Sequence, residues 1–139
     1  GSFAMENFDA YSHALASLGG FALLISILGM VSGRGRTADN RCDCGQPKRN
    51  YDNVVYRSNR AFMNAIESAG PFIAALMAAM LTGGAPLWVN IFATVFLVAR
   101  IATAFVHIRT TNQGLRSATW VVGLVCILSL IVIGIVGAF

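Results

Sequence analysis

Four stretches of this sequence stay apolar for close to the ~20 residues that a helix needs to cross a bilayer. They lie at about 11–31, 54–81, 87–108 and 115–139, and little chain is left between them. A chain that is 56% hydrophobic and 12% charged lacks the balance of a soluble domain. It predicts an all-α fold, an integral membrane four-helix bundle with little mass outside the lipid. One membrane domain is expected over 5–139, with residues 1–4 read as a tag remnant ahead of Met5. The acidic Glu6 and Asp9 ahead of the first run are not the basic start of a cleavable signal peptide. Gly33 is a natural stop for the first span, and Pro71 should kink the second. Residues 82–86, Thr-Gly-Gly-Ala-Pro, read as an uncharged tight turn. Trp88 suits an interfacial aromatic belt, and Gly123, Gly134 and Gly137 suit close helix packing in the fourth span.

The second span carries the feature that invites function. Asn53, Arg57, Arg60, Asn64 and Glu67 recur at steps of four and three, so a helix places them in one stripe. The rest of the segment is apolar. Ionisable groups at such depth are costly and face a partner, a cavity or a ligand. Polar contacts to neighbouring helices would also satisfy Arg60 and Glu67.

Charge orients the bundle. Every basic residue except Arg100 lies in the first loop, in the third loop or in the helix ends beside them. By the positive-inside rule both basic loops are cytoplasmic and both termini lie on the opposite side. The first loop also holds Cys42 and Cys44, a Cys-x-Cys pair with no further metal ligand at suitable spacing. They are expected as reduced loop thiols, and no metal site is expected.

The third span contributes Arg100, Thr103 and His107 on one face, and the fourth opens with Arg116, Ser117 and Trp120. Together with Arg60, Asn64 and Glu67 they suggest one polar layer at the cytoplasmic ends of the spans. Arginines there outnumber the single carboxylate, which suits an anionic ligand, because guanidinium grips carboxylates in bidentate fashion. Arg116 at a helix start could hold a bound thiol as thiolate; it also fits a topology anchor. His107 fits a satisfied helix-end histidine, and Trp120 an interface anchor. Spacing and periodicity name no ligand.

Two stretches resemble the MAPEG family, the membrane-associated proteins in eicosanoid and glutathione metabolism. RAFMNAIESAGPF, from Arg60 to Phe72, looks like the family's RxxxNxxExxxPF motif in its second helix. FLVARIATAFVHIRTTNQGLRSATW, from Phe96 to Trp120, is similar to its third-to-fourth helix segment. The resemblance implies a homotrimer of four-helix subunits with glutathione at the subunit interfaces. Arg60, Asn64, Glu67, Arg100, His107, Ser117 and Trp120 would then belong to the glutathione site, with Arg116 as the catalytic residue that stabilises the thiolate. Arg36, or else Arg34, would correspond to a first-helix arginine that reaches a neighbouring subunit's site. Met63, Thr103, His107 and Trp120 depart from the prostaglandin E synthase pattern, which has an arginine, a histidine and two tyrosines there.

The function expected is a membrane-bound glutathione transferase, or a glutathione-dependent lipid peroxidase. Its partners would be a lipophilic electrophile or lipid hydroperoxide and membrane lipid, with no nucleic acid. The alternative is a non-catalytic lipid-binding or scaffolding member of the family. A small multidrug exporter built on Glu67 ranks last, because the layer is cationic where an exporter of cations needs acid.

Overall fold

In the computed structural model, residues 8–139 are described; the expected tag remnant at 1–4 and Met5 lie outside them. A 3-10 turn, Asp9–Tyr11, leads into helix α1, Ser12–Gly33. Helices α2, α3 and α4 follow as Val54–Leu81, Pro86–Arg109 and Gln113–Gly137. All four are long and apolar enough to cross a membrane. Capping residues set their starts. The Asn53 side chain accepts from the Val55 N–H at the head of α2, and Asn112 accepts from the Leu115 N–H in α4. Pro86 opens α3, where a missing N–H costs nothing. Helix α2 continues through Pro71.

Each helix packs on others around a small aromatic centre. The Phe72 and Phe96 rings stack 3.9 Å apart, and Phe21 meets both edge-on at 5.5 and 5.0 Å. Such pairs add about 0.5–1.5 kcal/mol each beyond area burial. That increment matters here, since lipid is as apolar as leucine and association rests on close packing. Gly134 shows how close. A Cβ there would sit 2.8 Å from the Ala78 Cβ and 3.2 Å from the Ala78 carbonyl carbon. Helices α2 and α4 therefore touch almost backbone to backbone.

The first loop is a small ordered hairpin. Arg41 and Pro47 form an antiparallel bridge, and the Cys42 N–H donates to the Gln46 carbonyl at 2.8 Å. Gly45 makes the turn at φ +84°, a value that L side chains rarely adopt. This turn brings Cys42 and Cys44 together, and they are disulfide-bonded. The expectation of two free thiols is thereby corrected. The spacing of the pair says nothing about the turn that joins it.

Replacing Gly134 with Ala should push α2 and α4 apart and cost about 1–3 kcal/mol, the usual penalty of overpacking. Thermal unfolding in detergent measures it. Adding Ala78→Gly should recover part of the loss, whereas the same change in the wild type should not stabilise.

Candidate functional site

The first loop and the turn between α3 and α4 close the same end of the bundle. Arg57 organises it. Its Nε donates to the Ile108 carbonyl at 3.0 Å, and its Nη1 donates to the Tyr51 carbonyl at 2.6 Å. One guanidinium thus satisfies a carbonyl in the last turn of α3, where a cation is favoured, and pins the backbone of Tyr51. The Tyr51 ring then lies edge-on to Tyr56 at 5.2 Å and stacks with His107 at 6.4 Å. The Arg116 guanidinium sits 5.7 Å from the ring's centroid.

Two spaces flank this ring. One is a groove of about 620 Å³ lined by the first loop and the head of α2, with Arg49, Asn59, Arg60 and Met63 in its walls. The other is a cleft of about 10 Å³ beside His107 and Arg116, room for about one water. Among the described residues, Tyr51 alone belongs to both linings.

The expected polar layer divides into three. Arg60 lines the groove, while His107, 3% exposed, and Arg116 border the cleft. Arg100 stands apart inside the bundle at 2% exposure. Its Nε donates to Ser68 Oγ at 3.2 Å and its Nη1 to the Trp120 carbonyl at 3.1 Å. Its guanidinium also lies over the rings of Phe96 and Trp120, at 5.0 and 5.6 Å. Trp120 therefore faces Arg100 and lines neither space. Thr103 bonds Thr119 at 2.9 Å, joining α3 to α4.

Arg36 is engaged by its own chain. It donates to the Ser32 carbonyl, to Ser32 Oγ, to the Gly45 carbonyl and to Asn59 Oδ1, at 2.9–3.1 Å. It clamps the hairpin onto α1 and α2. Asn64 is half-buried, and its buried Oδ1 has no hydrogen-bond partner among the described residues. Glu67 and Ser117 are exposed. Buried acceptors without donors are uncommon and mark a place where an N–H or O–H from elsewhere is wanted.

Tyr51, Asn59 and Arg49 were not among the site residues read from sequence. Tyr51 lies three residues ahead of α2, off the helical stripe, and periodicity has no hold on it. The guanidinium of Arg116 acting on its hydroxyl, with Arg60 adding to it against a smaller effect of burial, holds its phenol below the ordinary tyrosine value.

The family model described as MAPEG matches residues 13–136, nearly the whole chain. The chain belongs to the MAPEG family. No individual curated protein matches it. Within this MAPEG protein, Arg60, Asn64 and Glu67 lie on α2, and Arg116 at the head of α4 approaches the same end of the bundle across Tyr51.

Removing the Arg36 clamp by Arg36→Ala should speed hydrogen exchange and proteolysis in residues 40–47 and leave the four helices protected. An ultraviolet titration of wild type minus Tyr51→Phe should give a phenol midpoint below that of free tyrosine. In Arg116→Ala the midpoint should rise, since a lost cation no longer favours the phenolate.

Proposed function

We propose that this MAPEG protein is a membrane-bound glutathione transferase or a glutathione-dependent lipid peroxidase. The observation that carries the reading is the 620 Å³ groove walled by Arg49 and Arg60, beside the Arg116 guanidinium. That volume lies in the range of sites for small organic ligands, about 300–1,000 Å³. Guanidinium groups on its wall favour a guest with carboxylates. Glutathione carries two carboxylates and one thiol.

In this reading Arg60, with Asn64, holds the peptide end of the tripeptide, and Glu67 receives its amine. Arg116 holds the sulfur as thiolate, by placing a positive charge and the head of α4 beside it. A lipophilic electrophile or lipid hydroperoxide arrives from the membrane. The thiolate attacks the electrophilic carbon, forming the thioether as the leaving group departs as an anion. Or it attacks the peroxide oxygen, the O–O bond breaks, and the alcohol leaves after taking up a proton from water; a second glutathione then converts the resulting sulfenic acid to disulfide and water. Little further machinery is needed once an activated thiolate is held beside a dissolved electrophile.

A homotrimer follows from the same reading. Glu67 is exposed midway along α2, where a lone protomer would leave it facing hydrocarbon. A neighbouring subunit and a shared ligand would cover it. The basic loops, and the site with them, would face the cytoplasm, where the Cys42–Cys44 bond would be open to reduction.

One observation favours the family's non-catalytic alternative, a lipid-binding or scaffolding role. The cleft beside Arg116 holds little more than a water. Calorimetry in detergent separates the two: no heat with glutathione and saturable lipid binding would select the alternative.

Purified protein should conjugate glutathione to a chlorodinitrobenzene-type substrate. Arg116→Ala should lower kcat roughly tenfold or more, the weight of one close opposite charge on a pKa. Arg60→Ala should act mainly on KM for glutathione. An inactive wild type, or an Arg116→Ala variant as active as wild type, would sink the proposal.

A further inference from the structure

We infer that Tyr51, a residue of the first loop, is a catalytic hydrogen-bond donor that shares the bound thiolate with Arg116. The inference rests on the thiol-binding reading above and names a group that the helical motifs leave out.

Position carries the argument. Tyr51 is the single side chain among the described residues that lines both the Arg60 groove and the Arg116 cleft. A guest whose carboxylates rest on Arg60 and whose sulfur reaches Arg116 has to cross it. Its ring is held on three sides, by Tyr56 edge-on, by His107 in a stack and by the Arg116 guanidinium over its face. Its backbone carbonyl is held by Arg57. A loop residue so restrained is placed as firmly as one on a helix.

Chemistry supplies the role. Guanidinium groups only donate hydrogen bonds. Arg116 beside the ring, and Arg60 across the groove, can therefore meet the phenol oxygen only as donors, which leaves the hydroxyl proton for another acceptor. A thiolate is one. The depressed phenol value fits such a polarised hydroxyl. The charged and titratable groups that face Tyr51 are Arg49, Arg57 and Arg60 with Tyr56, His107 on α3 and Arg116 on α4. The charged arginines among them favour an anion beside the hydroxyl. In the step proposed, glutathione loses its thiol proton to solvent, and the thiolate is held by an O–H from Tyr51 and an N–H from Arg116. No proton leaves Tyr51.

Tyr51→Phe tests this, because it keeps the ring and its three contacts and removes only the hydroxyl. The full-length protein in detergent is titrated with saturating glutathione, and the thiolate band is followed in the ultraviolet against pH. The midpoint should rise by about one pH unit in Tyr51→Phe, with roughly tenfold less thiolate below it, since a hydrogen bond to a charged group is of that size. At pH below the bound midpoint, where the thiol keeps its proton, the dissociation constant for glutathione should change little, because the carboxylate grip is elsewhere; above it, binding should weaken by the same factor of about ten. Thermal unfolding equal to wild type shows that packing is kept. An unchanged midpoint in Tyr51→Phe overturns the role of Tyr51 and leaves the thiol site standing. A wild type that binds no glutathione and forms no thiolate overturns both.

Discussion

A guanidinium buried among three membrane helices is the constraint that the rest of this structure answers. Among the described residues Arg100 has no carboxylate as a hydrogen-bond partner; it donates to a serine hydroxyl on α2 and a backbone carbonyl on α4. Placing an arginine at the centre of a spanning helix costs about 2.5–3.5 kcal/mol on insertion scales. Two hydrogen bonds from a charged donor contribute about 1.5–3 kcal/mol each, and an aromatic face adds about 0.5–2. Together these more than cover the insertion cost, so the charge is tolerated on these contacts alone. Room for it comes from Gly123, where a Cβ would sit 2.5 Å from Nη1. The outcome is a rivet through α2, α3 and α4 that holds these helices in register.

That register places the working end. With the three helices fixed, Arg57 reaches the Ile108 carbonyl in the last turn of α3 and Arg116 reaches over the loop. The loop is no passive connection. Arg36 binds it at Gly45 and ties it to Asn59, so Gln46 and Pro47 become a wall of the groove. Arginines here divide their labour. Arg36, Arg57 and Arg100 are spent inside the chain on carbonyls and hydroxyls. Arg49 and Arg60 line the groove, and Arg116 borders the cleft beside it.

Composition alone could not make that division. An arginine stripe looks the same whether its members cap a helix or await a ligand. Arg57 and Arg60 are three residues apart on one stripe, yet one caps α3 and the other lines a cavity. Tyr51 was invisible for a related reason. Loop residues obey no period, and their neighbours are chosen by how the ends of other helices arrive. The Cys42–Cys44 bond belongs to the same class, since a turn at Gly45 creates it.

What the sequence by itself determined is the all-helical membrane character, four spans, and which faces carry charge. Bilayer thickness and the 3.6-residue turn leave few alternatives for runs of this length. The motif in α2 also marked the family. Only the tertiary structure decided which cations are consumed as fasteners and which remain to meet a guest. That choice depends on distances between helices far apart in sequence, such as the 51 positions between Arg57 and Ile108. Packing sets those distances, and no local pattern encodes them.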